Sequence, residues 1–196
     1  MESTVPEPEK GVAPPPPPPP PPKSVAERFL YDIILRVWLF ASTLVSVLVM
    51  VTSKQTGLIL VPPLQIPQPV DAKFTHSPAL VYFVAALSVA CLYSIISALA
   101  SFLAMSSPRH HTKTFLHFIF MDTLILAIVV AAAGSAGGVA YIGLKGNSHT
   151  GWAKICNVYD TFCEHIAGSL GLSLLAAILL IFLIMLSSHS LYSLIS

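Results

Sequence analysis

Hydrophobic positions in this chain do not alternate with polar ones, nor do they keep to a single helical stripe. They run on without interruption. Four apolar stretches stand out, at about residues 29–53, 79–104, 115–144 and 166–188. Each exceeds the roughly 20 residues that a helix needs to cross a bilayer. Backbone groups in lipid must be satisfied within a helix or a closed barrel, and barrel strands show short alternating segments, so helices are expected. The pattern predicts an all-α fold, a four-helix transmembrane bundle over residues 28–190. A polar, proline-rich tail (1–27) precedes it and a short stub (191–196) follows. An even number of spans places both termini on one side of the membrane.

The polar segments differ in character. Pro14 to Pro22 is an unbroken proline tract, restricted to polyproline II or coil and excluded from a packed core. It reads either as an extended spacer or as a ligand for a cytosolic polyproline-binding protein. The connection from Lys54 to Pro78 contains five prolines, which rule out a long helix and admit a short extended segment. The connection from Met105 to Thr114 is short and carries Arg109, His110, His111 and Lys113. The third, Lys145 to His165, carries Gly146, Gly151, Trp152, Cys156 and Cys163.

Composition supports the membrane reading. Of 196 residues, 55% are hydrophobic and 10% charged, against about 25% charged in soluble domains. A net charge of +1 gives no basic surplus for nucleic acid. The first apolar run begins only after a long tail, unlike a cleaved signal peptide, and is read as an uncleaved anchor. Basic residues flank the spans on both sides, so the positive-inside rule discriminates little. Cys156 and Cys163 decide the orientation, because paired loop cysteines favour the oxidising exterior. The tail and both termini are therefore placed in the cytosol.

Two charged residues lie well inside the apolar runs: Arg36 in the first and Asp122 in the third. Charges within hydrocarbon are costly and persist mainly where they have a role. Both sit on the order of 10 Å in from the same end of their spans, at about 1.5 Å per helical residue. An interhelical pair that holds the bundle in register follows from that match. The alternatives are that Arg36 snorkels to the headgroups or pairs with Asp32 one turn earlier, or that the two residues take part in transport.

Gly134 and Gly138 form a small-xxx-small pair in the third run, which suits close helix packing either within one bundle or between copies; Gly168 and Gly171 could share that seam. A continuous helix would hold Cys156 and Cys163 about 10 Å apart. A disulfide needs Cα atoms within roughly 7 Å, so a bridge predicts a turn near Asn157–Thr161. Two free thiols are the alternative, and a zinc site with His149 or His165 fits no standard spacing. No nucleophile–base arrangement, phosphate loop or metal motif has credible context. The expectation is a protein that is not an enzyme and uses no cofactor or metal.

Several segments together resemble a known family. Leu35-Arg36 opens the first span and Met50 to Thr56 closes it. Ser77-Pro78-Ala79 and Tyr82 open the second. Asp122 is followed by Tyr141, Gly143, Gly146 and Asn147, and the second outer loop reads Trp152 to Cys156, with Phe162-Cys163 after it. Over about residues 28–190 this is similar to the Casparian strip membrane protein-like (CASP-like) family of plants, related in layout to MARVEL-domain proteins. The resemblance implies a multi-pass plasma-membrane protein that forms homodimers or higher homo-oligomers, and hetero-oligomers with family members. It implies a scaffold for membrane domains and local cell-wall modification. The family's charged pair maps onto Arg36 and Asp122, its loop cysteines onto Cys156 and Cys163, and its outer-loop motif onto Trp152, Ile155 and Phe162. The first outer loop lacks the Leu-Pro-Phe-Phe type of stretch found in strip-forming members, which points to the broader CASP-like group. A small channel or transporter subunit is the competing function.

Overall fold

The computed structural model describes residues 23–61, 66–105 and 111–195. The proline tract and most of the tail, Arg109 and His110 lie outside them. The chain forms helix α1 (Lys23–Thr52), strands β1 (Lys54–Val61) and β2 (Ile66–Lys73), a single 3₁₀ turn (Phe74–His76), and helices α2 (Pro78–Met105), α3 (His111–Lys145) and α4 (Asp160–Ile195). All four helices are long and apolar enough to span a bilayer.

The helices pack in a ring in which α1 touches α2 and α4, and α3 touches α2 and α4. This is an up-and-down bundle in which α1 and α3 face each other across the diagonal. One end, here the tail end, holds the start of α1, the end of α2 and the start of α3. The other, the loop end, holds the strands and the α3–α4 connection.

Burial differs from that of a soluble bundle. Only a third of each apolar stretch is inside. Leu92, Ile96, Leu99, Phe102 and Leu103 face outward, whereas Ser94, Ser97 and Ser101 of the same helix face inward. Lipid solvates the aliphatic exterior, so the hydrophobic effect does not drive these helices together; small side chains that permit close approach do. Ser46 and Ser169 show the device. The Ser46 hydroxyl donates to the Ser169 carbonyl at 2.8 Å, and the Ser169 hydroxyl to the Ser46 carbonyl at 2.9 Å, locking α1 against α4. Other inward hydroxyls bond their own helix: Thr43 to the Leu39 carbonyl at 2.8 Å and Ser94 to that of Cys91 at 2.7 Å.

Helix limits exceed the apolar runs. The tail's last five residues already belong to α1, and α4 begins six residues before the run at 166. Residues 191–195 of the expected stub continue α4. Polar residues extend a helix readily once it leaves hydrocarbon, so hydropathy marks the membrane-embedded part and not the helix ends. The first outer connection is an antiparallel β pair, with Lys54 opposite Lys73 and Val61 opposite Ile66. Its prolines exclude helix but fit extended backbone. Pro78 stands at the first turn of α2, where its missing N–H costs nothing, and the Ser77 carbonyl accepts from Leu80 and Val81 at 3.0 Å.

Candidate functional site

The charged residues converge in the tail-end half of the bundle. Arg36 of α1 and Asp122 of α3 are fully buried. Arg36 Nη1 and Nη2 donate to Asp122 Oδ1 and Oδ2, each at 3.2 Å, a fork-on-fork pairing across the diagonal. Arg36 Nε donates to Asp32 Oδ2 at 2.9 Å, one turn back on α1. Pairing with Asp32 and pairing with Asp122 therefore occur together. From α2, the Tyr93 hydroxyl donates to Asp122 Oδ1 at 2.6 Å, and the Ser101 hydroxyl donates to Asp32 Oδ2. The Phe118 ring lies under the guanidinium, 4.4 Å from its carbon to the ring centroid, a cation–π contact from α3.

This arrangement ties three helices at one level. A bidentate guanidinium–carboxylate pair tolerates little rotation of α1 against α3, and the two hydroxyls fix α2 to both. Its chemistry is that of a clamp. The guanidinium does not give up its proton, and Asp122 already receives three donors.

The loop end is stapled differently. Helix α3 ends at Gly146, whose φ of 69° is the left-handed conformation that closes helices, and whose N–H donates to the Ile142 carbonyl at 2.7 Å. The chain then turns through paired backbone bonds between Asn147 and Trp152 at 2.9 and 3.0 Å. The Gly143 carbonyl accepts from both Ile155 (2.9 Å) and Cys156 (3.2 Å), which docks the loop on α3. A disulfide joins Cys156 to Cys163 with Cα atoms 5.7 Å apart. The break lies at 156–159, before α4 starts at Asp160.

The β pair completes this platform. Gln55 of β1 places its side-chain carbonyl 2.9 Å from the Phe162 N–H, a donor that the first turn of α4 leaves without a helical partner. Its amide donates to Asp160 Oδ1 at 3.0 Å, and Asp160 also accepts from the Thr161 N–H at 2.7 Å. The Tyr159 hydroxyl donates to the Val70 carbonyl at 2.9 Å. Gly57 permits the contact, since a Cβ there would lie 2.7 Å from Val158 Cγ1 and 2.8 Å from the Tyr159 ring. Within the expected outer-loop motif, Trp152 and Ile155 are exposed. Phe162 is not in the loop: it is buried in the first turn of α4.

The glycines stand outside the bundle. Gly134, Gly138, Gly168 and Gly171 are exposed, and a Cβ at any of them would meet nothing within 4 Å. Of the two readings left open for Gly134 and Gly138, packing within one subunit is disfavoured, because Ala132, Ala133 and Ala136 take the inward positions of that stretch.

The Casparian strip membrane protein domain matches residues 27–179. The chain belongs to this family. It is 54% identical over 162 residues to CASP-like protein 1D1 of Vitis vinifera, covering 83% of this chain and 78% of that one. It is 54% identical over 166 residues to CASP-like protein 1D2 of Glycine max, covering 84% of each. CASP-like protein 1 of Panax ginseng is 57% identical over 144 residues, 72% of this chain and 96% of that one. No solved structure matches the chain.

The family's domain thus contains both the buried cluster and the stapled platform. Sequence reading located Arg36, Asp122 and the alternative partner Asp32, but missed Tyr93, Ser101 and Phe118. Tyr93 carried a usable signal. It is a hydroxyl-bearing residue in mid-span, on a helix running opposite to α3, at a depth that brings it level with Asp122. Gln55 gave none, since a glutamine after a span looks like any solvated loop residue.

Proposed function

We propose that this CASP-like protein is a non-enzymatic plasma-membrane scaffold that assembles with copies of itself and with relatives, and organises a membrane domain with local cell-wall modification. Both termini lie in the cytosol in this reading, and the disulfide-stapled platform faces the wall. The single observation that carries it is the outward glycine surface. Gly134 and Gly138 on α3, and Gly168 and Gly171 on the adjacent α4, are exposed, and a Cβ at any of them would meet nothing within 4 Å. Small-xxx-small surfaces open to lipid bring helices of separate subunits together. Support also comes from the closed interior, where the buried charges are held in a clamp and inward hydroxyls such as Thr43 and Ser94 bond backbone carbonyls rather than line a water file.

Replacing Gly134 and Gly138 with leucine tests the reading. The expected outcome is a shift toward monomer in native mass spectrometry from nanodiscs, with unchanged delivery to the cell surface. A wild type that is monomeric there and conducts a solute in liposomes would transfer the assignment to a channel or transporter subunit.

A further inference from the structure

We infer that the loop end holds a binding site for a compact neutral lipid with a hydroxyl head, of the sterol kind. A cavity of about 720 Å³ lies where α2, α3 and α4 meet the platform. That volume falls within the roughly 300–1,000 Å³ typical of small-molecule sites and suits one compact apolar body. Leu80 of α2, Ala140 of α3, and Ile166 and Leu170 of α4 form its wall, and the Cys156–Cys163 bridge sits against it. The wall is overwhelmingly apolar.

The rim selects the head. It carries Lys73, His76, Asp160 and Glu164. Lys73 is occupied by Asp71, 3.1 Å away. Asp160 is engaged by Gln55 and Thr161. His76 and Glu164 are exposed and have no side-chain partner among the described residues. An alcohol can accept from the imidazole and donate to the carboxylate. A phosphodiester would instead lie against two carboxylates, and the lysine on the rim is already neutralised. Charge therefore disfavours anionic phospholipids. Tyr141 and Trp152 are exposed at this end, and such side chains settle at headgroup level. That depth would let a lipid enter from the bilayer with its hydroxyl at the water boundary.

The test uses the full-length protein in phosphatidylcholine nanodiscs carrying a photoreactive sterol, with labelled peptides mapped by mass spectrometry. Labelling should concentrate in residues 139–144 and 163–170, several-fold above the outward face of α2 around Ile96 and Leu99. Unlabelled sterol should compete it away. Ala167→Phe, at an exposed position on the cavity lining, should reduce it several-fold without changing helix content by circular dichroism. A photoreactive anionic phospholipid should label these peptides no more than the rest of the surface. Labelling spread evenly over all four helices, failure of competition in the wild type, or preferential labelling by the anionic probe would each overturn the assignment. Competition in the wild type decides the matter if the filled variant does not fold. The scaffold reading is judged by native mass and this one by peptide labelling with sterol competition, repeated in the Gly134→Leu, Gly138→Leu protein, so the two can fail separately.

Discussion

The two ends of the bundle solve one problem, holding four helices in register, with opposite chemistry. The tail-end half uses charge. Arg36 sits between two carboxylates, with Tyr93, Ser101 and Phe118 completing the shell. The loop end uses a covalent bridge, a β pair and neutral hydrogen bonds. Surroundings explain the division. Inside hydrocarbon no water competes for a guanidinium or a carboxylate, so each must find its partner in the protein, and the resulting geometry is tightly determined. At the water boundary, exposed ion pairs are screened and contribute little. A cross-link, and close packing at Gly57, keep their effect there.

The sharpest way to break the comparison is to remove its centre. Arg36→Ala would leave Asp32 and Asp122 facing each other without a cation, at a cost of about 3–5 kcal/mol. The expected result is loss of folded protein, read as failed surface delivery and protease sensitivity. Asp122→Asn should be milder, because Arg36 keeps Asp32. Exchanging the charges (Arg36→Asp with Asp122→Arg) should rescue only partly, since the carboxylate introduced on α1 would stand one turn from Asp32. Adding Asp32→Asn should improve the rescue. A triple variant no better than the single ones would show that pairing does not hold this half together.

The loop end should respond less, and locally. Cys156→Ser opens a bridge across a sequence separation of seven residues, a short loop for which chain entropy gives about 2 kcal/mol. Proteolysis should appear in residues 146–159 while the membrane-embedded part stays protected. Global unfolding would show that the platform supports the bundle. Gly57→Val should cost about 1–3 kcal/mol as overpacking against Val158 and Tyr159. Its signature is faster hydrogen exchange in β1 and β2 with unchanged exchange at Ser46 and Ser169.

The smallest effect is pH-dependent. The Thr56 hydroxyl at 2.7 Å, and then the Lys73 ammonium, hold the Asp71 carboxyl below its ordinary value. A depressed folded pKa gives stability that is complete above the unfolded value of about 3.9 and is lost as pH falls through the folded one. Hydrogen exchange in the β pair should therefore quicken modestly below about pH 4 relative to the intrinsic rate. Thr56→Val should move that change to higher pH. A pH response of the same size in the variant would remove Asp71 from the account.

Long apolar runs determined the number of helices, their order and the membrane environment, because the length of hydrocarbon to be crossed is a local property of sequence. Arg36 and Asp122 announced themselves for a related reason: a charge in an apolar run is an anomaly that needs no third dimension to notice. Even the turn between the cysteines followed from helical rise, given a bridge between them. Other features belonged to tertiary structure alone. Whether Gly134 and Gly138 face inward or outward depends on how α3 is rotated about its axis, and a stretch that is small on nearly every side carries no moment to reveal it. Gln55 capping α4 links residues more than a hundred positions apart, and Tyr93 reaches Asp122 from another helix. Both are ordinary residues until folding sets their neighbours. Sequence records what each segment can tolerate as solvent; only packing decides which side chains meet.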